Sequence, residues 1–380
     1  MTRAILQEKD LSTNDGVLYM ANELSHKVWK LMFNDGRSKK VSEVNVSGGD
    51  YGSVTREITR AKKRFGLSPE AVVISCYEAG RDGFSVHREY ERMGIVNLVV
   101  DSASIEVDRR FRRIKTDRLD ARKLLGMLIR YCRGEQEVWS VVRVPDERDE
   151  DDRRLHRERE RLIKERGAHG NRIRSLLVTQ GIMIEKVDRL TEDMVDRMLR
   201  GDGTPLLEGM KGQLKRELRR LALVQEQIGE LEKQQKDRVR DQESEKMKKV
   251  GRLMSLKGVG LQSAWPLVME FFGWRDFNNG KEVGAAAGLA GTPYASGDIH
   301  RDQGISKAGN RYIRAVMIEL AWLWLYYQPD SNLSRWYRER FADGSRRARK
   351  VGIVALARKL LVALWRLVEH GLMPEGAIFN

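Results

Sequence analysis

The chain has 380 residues and a formal net charge of +15, with 70 Lys and Arg against 55 Asp and Glu and a pI near 9.8. That length holds two or three domains with sizeable cores, and the basic excess favours a polyanionic partner. Two cysteines, Cys76 and Cys132, exclude a disulfide framework and a Cys-x-x-Cys zinc site, which fits a reducing cytoplasm. The N-terminus carries Glu8 and Asp10 and no apolar signal core, and the longest apolar stretch, Ala315 to Tyr327, contains Glu319 and is too short for a bilayer. A soluble cytoplasmic protein with no membrane partner is expected.

Residues 1–15 read as a tail, and residues 16–133 as an α/β unit. Val17 to Met20 is strand-like and passes through Glu23 into a second such run, Val28 to Phe33. A further apolar run, Ala71 to Cys76, leads through Tyr77 to Glu78, and Asn97 to Val100 precedes a basic segment. Short apolar runs alternating with helical patterns predict an α/β sheet, in which functional groups collect at strand ends. Glu23 and Glu78 fall where strands run out, while Asp117 and Asp120 open the helix after the third run.

Lys115-Thr116-Asp117-Arg118-Leu119-Asp120 is the most informative stretch. Two carboxylates three apart on a helix share a face, here among Arg109, Arg110, Arg112, Arg113, Lys115, Arg118, Arg122 and Lys123. Hard cations such as Mg²⁺ take oxygen ligands, and a positive surround suits a phosphodiester backbone. The pattern therefore points to metal-assisted phosphoryl transfer on nucleic acid. A solvated helix carrying i,i+3 charge pairs is the plainer alternative.

Residues 134–152 read as a linker: Gly134 and Pro145 flank a short strand-like run, and the acidic stretch Asp146 to Asp152 follows. From 153 to 248 the chain is charged and helical. Leu214, Leu218, Leu221, Ile228 and Leu231 have near-heptad spacing, and an earlier helix carries Leu155, Leu162, Ile173, Leu176 and Leu177. With the turn signal Gly201-Asp202-Gly203-Thr204-Pro205 between them, they predict an antiparallel helical hairpin or a dimerising coiled coil.

A mainly helical third unit spans 250–345. Leu256-Lys257-Gly258-Val259-Gly260 before an apolar helix has a helix-hairpin-helix pattern, in which backbone N–H groups meet a phosphate, with Lys257 beside them. The small-residue run Val283 to Gly291 permits close packing. A polar loop follows, holding Ser296, His300, Arg301, Ser306, Lys307 and Arg311, and leads into an apolar helix from Tyr312 to Tyr327. Loops on packed helices are where function concentrates. Residues 346–380 read as a basic amphipathic helix and tail, with Arg346, Arg347, Arg349 and Lys350 at its start. Residues 335–370 hold ten Lys or Arg against three Asp or Glu, the clustered charge of a nucleic-acid surface.

Glu-Leu-Ser-His-Lys-Val-Trp (23–29), Tyr-Glu-Ala-Gly (77–80) and Lys-Thr-Asp-Arg-Leu-Asp-Ala (115–121) resemble the RuvC-like (RNase H-like) DEDD domain of the insertion sequence 110 family of transposases. Leu-Lys-Gly-Val-Gly (256–260), Ala-Gly-Leu-Ala-Gly-Thr-Pro (287–293) and Gly-Ile-Ser-Lys-Ala-Gly-Asn-Arg (304–311) resemble its C-terminal domain, in the branch typified by insertion sequence 1111. The resemblance covers roughly residues 16–330. It implies a DNA recombinase guided by a structured bridge RNA that pairs with target and donor DNA. It also implies dimers and tetramers with composite active sites, Mg²⁺ held by Glu23, Glu78, Asp117 and Asp120, and a serine nucleophile. Glu23 departs from the family's aspartate by one methylene. Ser296 is the expected nucleophile, from its place before the Arg-containing loop. Ser306 is the alternative, although it reads equally as the N-cap of a helix beginning near Lys307. The basic residues expected on nucleic acid are Arg109, Arg110, Arg112, Arg113, Lys115, Lys257, Arg301, Lys307, Arg311, Arg346, Arg347, Arg349 and Lys350.

Two other functions compete. A Holliday-junction-resolvase-like metal nuclease would use the same carboxylates to activate water, with no covalent intermediate. A basic scaffold that merely binds structured RNA would leave the carboxylates structural. The serine-bearing C-terminal region favours the recombinase.

Overall fold

The computed structural model describes residues 16–80, 83–105, 117–241, 244–296 and 299–380, with side chains for these except residues 103, 117–120, 136, 293–296 and 299–303. The chain divides into two units, residues 1–144 and 145–380.

Five strands build the first unit: β1 (Val17–Glu23), β2 (Val28–Asn34), β3 (Ser42–Ser47), β4 (Val72–Glu78) and β5 (Val96–Val100). Their order is β3-β2-β1-β4-β5. The first three are joined by short turns and pair antiparallel, whereas β1, β4 and β5 run parallel. Parallel neighbours need crossovers, supplied by α1 (Tyr51–Arg64) and α2 (Ser85–Arg92). Both pack on one face of the sheet, where Val54, Ile58, Val86 and Tyr90 meet Leu18, Met20 and Tyr77. The other face is covered by α3 (Asp117–Cys132), whose Ala121, Leu124, Leu125 and Leu128 meet Ala21, Ile74 and Cys76. Burial on both faces explains why β1 and β4 read as apolar runs. At the edge, β3 (Ser-Glu-Val-Asn-Val-Ser) has few apolar residues and so carries little strand signal in its sequence.

The stretch read as a linker, 134–152, is shared between the two units. Val138 and Trp139 are buried in the core beneath α3. Val141 bridges Val100, and the Val142 N–H donates to the Val99 carbonyl at 2.7 Å, so this stretch closes the edge beyond β5. The acidic run is a helix start: the Asp146 side chain caps α4 (Glu147–Val178) and Glu147, Asp149 and Glu150 fill its first turn. Negative charge there is favourable because the unpaired N–H groups are partially positive.

In the second unit, α4 and α6 (Glu208–Asp241) form a hairpin within one chain, with short α5 (Glu192–Arg197) between them. Asp152 pairs with Arg238 at 3.2 Å, Arg159 with Glu232 at 2.7 Å and His169 with Glu217 at 2.7 Å. One partner's number falls as the other's rises, so the helices are antiparallel. Their seam buries Leu162, Ile173, Leu177, Leu214, Leu221 and Ile228.

There follow α7 (Glu245–Met254), α8 (Leu261–Leu267) running into a π turn at Val268–Phe272, α9 (Gly280–Ala286), the hairpin β6 (Gly291–Ser296) and β7 (Ile299–Ile305), α10 (Arg311–Tyr327), α11 (Asn332–Phe341) and α12 (Arg346–His370). The segment read as a basic amphipathic helix is a core element, α12. Leu356, Leu360, Leu361, Leu364 and Trp365 of α12 are buried with Trp265, Phe271, Met317 and Trp324. Val351, in its second turn, is 56% exposed. Among the described residues no helix is long and apolar enough to cross a membrane.

Candidate functional site

The parallel pairing of β1 and β4 ends at Asn22 opposite Tyr77. One step further along the same register stand Glu23 and Glu78, side by side at the carboxyl ends of neighbouring strands. Side chains alternate between faces along a strand. Ala21 and Cys76 face α3, so the residues two positions on, Glu23 and Glu78, belong to that face. Helix α3 runs back along these strands. Cys76 Sγ lies 4.0 Å from the Leu124 carbonyl, and Arg133, just past the helix, hydrogen-bonds to the Gly36 carbonyl beyond β2. The start of α3 therefore lies toward the strands' carboxyl ends. From Leu124 back to Asp120 is a rise of about 6 Å, and from Cys76 on to Glu78 about 7 Å. Backbone geometry thus brings positions 23, 78, 117 and 120 to one corner of the unit.

Glu78 is exposed and Glu23 half-buried. The side chains of Asp117 and Asp120 lie outside the described residues, as do Arg109, Arg110, Arg112, Arg113 and Lys115 entirely. The described side chains contain no group of three or more His, Cys, Asp or Glu placed to hold a metal, a set that leaves out Asp117 and Asp120. An all-carboxylate donor set suits a hard divalent cation such as Mg²⁺.

Polar residues inside the apolar strands, not singled out from sequence, hold these strand ends. Asn22 Nδ2 donates to the Cys76 carbonyl at 3.0 Å, and its Oδ1 accepts from the Tyr90 hydroxyl at 3.0 Å. Ser75 Oγ donates to Asn97 Oδ1 at 2.6 Å, and Asn97 Nδ2 lies 3.0 Å from His87 Nδ1. Burial holds the His87 imidazole below its usual range, against the opposing pull of Glu91. Asn22, Ser75 and Asn97 are almost fully buried, and buried polar groups must find partners. An Asn or Ser interrupting a Val/Ile run was the available signal.

In the second unit, Ser296 is the last residue of β6 and pairs with Ile299; Arg301 in β7 pairs with Tyr294. The side chains of Ser296, His300 and Arg301 lie outside the described residues. The base of the hairpin is fastened by Thr292 Oγ1, which donates to the Gly304 carbonyl at 2.9 Å.

Ser306 is not an N-cap. Its N–H donates to the Ala290 carbonyl at 2.8 Å, and the helix begins later, at Arg311. There Asn310 Oδ1 accepts from the N–H groups of Tyr312 and Ile313. The Ser-Lys-Ala-Gly-Asn-Arg segment is a tight clamp. Lys307 adopts φ +57°, and a Cβ on Gly309 (φ +131°) would fall 2.5 Å from the Ala286 carbonyl oxygen. Arg314 Nη1 donates to the carbonyls of Ala287 and Lys307. Ser306, Lys307 and Arg311 are exposed.

The Leu256–Gly260 turn joins α7 to α8 and leaves the Lys257 side chain exposed. Its backbone is used internally: the Lys257 N–H donates to the Ile378 carbonyl, and its carbonyl accepts from Gln328 Nε2. Gly258 (φ +89°) lies against Tyr327, where a Cβ would come within 2.8 Å. Arg346, Arg347, Arg349 and Lys350 are exposed in the first turns of α12.

A charge cluster around the buried Glu270 fastens the α4–α6 hairpin to the helical core. Glu270, in the π turn, accepts from Arg157 Nε at 2.6 Å and Nη2 at 2.8 Å, with His156 Nε2 at 2.9 Å. Burial pushes the Glu270 carboxyl up, but the hydrogen bonds from His156 and Arg157 outweigh it and hold the group at about 2.

Residues 250–338 match the family described as transposase IS116/IS110/IS902. The chain is 38% identical over 384 residues to a putative transposase, y4rJ, of Sinorhizobium fredii, an alignment covering 96% of this chain and 95% of the relative. It is 30% identical to a probable family 20 transposase of Pseudomonas aeruginosa over 57% of this chain and 62% of that protein. To the transposase for insertion sequence element IS1111A of Coxiella burnetii it is 27% identical, over 56% of this chain and 57% of that protein.

Proposed function

The chain belongs to the IS116/IS110/IS902 family of transposases, and on that premise we propose that it excises and inserts its own insertion sequence under the guidance of a structured bridge RNA. The observation that carries this reading is the corner of the first unit. Glu23 and Glu78 end adjacent parallel strands on the face covered by α3, and Asp117 and Asp120 open that helix. A mixed five-stranded sheet with helices on both faces is the frame a RuvC-like domain needs.

In this reading Glu23, Glu78, Asp117 and Asp120 would hold Mg²⁺. When bound, the ion would lower the pKa of the attacking hydroxyl and offset charge on the phosphate. Ser296 supplies the hydroxyl. Its Oγ bonds to phosphorus as the P–O bond to one flanking nucleoside breaks, and the hydroxyl proton passes to the oxygen released. Attack by the hydroxyl of a new strand reverses these steps, restoring a phosphodiester and free serine. The energy of the broken bond is conserved, so rejoining needs no ATP. Arg301, Lys307, Arg311, Lys257 and the basic residues before α3 bind the RNA and the target and donor duplexes. The active assembly is a dimer or tetramer working in the cytoplasm.

The test is a denaturation-resistant protein–DNA adduct formed with Mg²⁺, guide RNA and matching DNA. Mapping to Ser296, and loss in Ser296→Ala together with recombination, is the expected result. Adduct at Ser306 would move the nucleophile. Cleavage that persists in both alanine variants, with no adduct in the wild type, would replace the recombinase with a resolvase-like hydrolytic nuclease.

A further inference from the structure

A groove of about 2150 Å³ opens in the second unit along α12, bordered by α9, α11 and the base of the β6–β7 hairpin. Arg347, Val351, Val354, Arg358, Val362 and Arg366 recur every three or four residues, so one stripe of α12 forms its long wall. That stripe is about 28 Å long at the helical rise per residue. Helix α9 lies close against it because two of its residues lack a side chain: a Cβ on Gly280 would come 2.8 Å from Val362, and one on Gly284 3.0 Å from Arg358.

Eight of the lining residues are Lys or Arg and one, Glu375, is acidic. None of the eight is paired to a carboxylate among the described residues. Between the cations the lining is apolar: Val351, Leu372 and Met373 are 56%, 58% and 66% exposed, and Trp336 lies beneath the Lys359 ammonium at 4.7 Å. On α12 the cations fall in three groups, at 346–350, 358–359 and 366, about two turns apart, and fit a ligand that carries anions at intervals along its length. Exposed apolar side chains between them fit a ligand whose flat apolar faces are also exposed.

We propose that this groove binds an unpaired stretch of nucleic acid, its phosphates on the cations of α12 and its bases on the apolar lining. A duplex turns phosphate and sugar outward and hides its base faces, which would leave Val351, Leu372 and Met373 against water. A single strand offers both, and base contact with apolar and aromatic side chains is the usual supplement to phosphate binding. Stacked nucleotides advance about 3.4 Å each along a strand, so the stripe accommodates about eight, beside the six lining cations of α12. Gly291, Gly304 and Lys307 at the groove's border belong to the hairpin and clamp that carry Ser296 and Ser306. A strand in the groove is therefore led to the base of that hairpin. The inference rests on the nucleic-acid reading above but needs neither guide, metal nor serine.

The test uses the full chain without divalent metal and follows binding of labelled oligouridine, oligothymidine and a duplex of equal length as salt is raised from about 50 to 200 mM. Single strands should bind more tightly than the duplex. Lys359→Gln/Arg366→Gln should flatten the single-strand salt slope by about 1.4, at about 0.7 per lost phosphate contact. Val351→Glu, at an exposed position, should weaken single-strand binding about tenfold or more, while Lys233→Gln/Lys236→Gln on α6 leaves the slope unchanged. Preference for oligouridine or oligothymidine assigns the strand as RNA or DNA, and either upholds the site. The proposal fails if the groove variants keep the wild-type slope, if the α6 variant flattens it equally, if the duplex binds more tightly, or if an acidic peptide of equal charge displaces the strand as well as free oligonucleotide does. Lost recombination with intact groove binding would count against the proposed function and leave the groove standing.

Discussion

In the first unit the groups of interest stand at the ends of regular elements, and in the second they stand where regular structure is interrupted. Glu23 and Glu78 owe their adjacency to strand register and their shared face to the two-residue alternation, so backbone pairing alone positions them. Ser296 is the last residue of β6, within a two-stranded hairpin, Ser306 enters a clamp with two left-handed residues, and Glu270 sits in a π turn. Positions of the first kind move only if the sheet moves. Those of the second kind depend on local packing, on Gly309 against Ala286 and Gly258 against Tyr327. A centre built on register tolerates substitution beside it, whereas one built on exceptions is sensitive to single atoms.

The sharpest way to break this comparison is at Glu78. Glu78→Gln keeps the shape and removes the charge at an exposed strand end. Strand cleavage should fall about a thousandfold or more, while unfolding free energy stays within about 0.5 kcal/mol and RNA affinity stays near wild type. Equal loss of RNA binding and cleavage would make the residue structural. Glu23→Asp should remain active, because a shorter carboxylate at the same register position preserves charge and ligand type. An inactive Glu23→Asp protein would show that geometry there is tuned to the longer side chain.

Glu270 tests the other kind of position. It is about 5% exposed and bound to buried His156 and to the partly exposed Arg157, so Glu270→Gln removes a buried carboxylate from its cationic partners and should cost about 3 kcal/mol. Its carboxyl is held at about 2 against an ordinary 4.5. The stabilisation is therefore complete above about pH 4.5 and lost as pH falls toward about 2. In denaturant titrations over that window the wild type should lose on the order of 2–3 kcal/mol more than Glu270→Gln does. Parallel acid profiles would mean that Glu270 is not held ionised by the cluster.

Much of the first unit was legible from sequence because alternation and strand-end carboxylates are local signals. Val17–Glu23, Val28–Asn34, Val72–Glu78 and Val96–Val100 carry them, whereas β3 lacks the apolar density. That Glu23 and Glu78 share a face with α3 needed the register between strands more than fifty residues apart. Val138 and Trp139 looked like linker because their partners lie on α3 and β5, invisible to local pattern. The basic residues of α12 disguised a buried helix, since its cations gather on one stripe and at one end while leucines fill the rest. The Glu270–Arg157 pair joins residues 113 apart and had no signal at all. At Ser306 a real signal misled: serine before a helix reads as a cap, but Asn310, four residues later, takes the role.

That substitution of one cap for another gives the finest test. Asn310 Oδ1 accepts from two backbone N–H groups, at 3.0 Å to Tyr312 and 3.1 Å to Ile313. Without it those donors turn to water at the start of a helix whose next residues, Ile313 and Met317, are buried. Asn310→Ala should therefore cost about 1 kcal/mol, read as a shift in the midpoint of denaturant unfolding at constant slope. Ser306→Ala removes an exposed hydroxyl that caps nothing and should change stability by less than about 0.5 kcal/mol. The same pair separates stability from chemistry at the hairpin: once the protein is folded, both Asn310→Ala and Ser306→Ala should leave the Ser296 adduct near wild type. If Ser306→Ala instead destabilised the protein as much as Asn310→Ala, the hydroxyl would hold the clamp through a contact of its own.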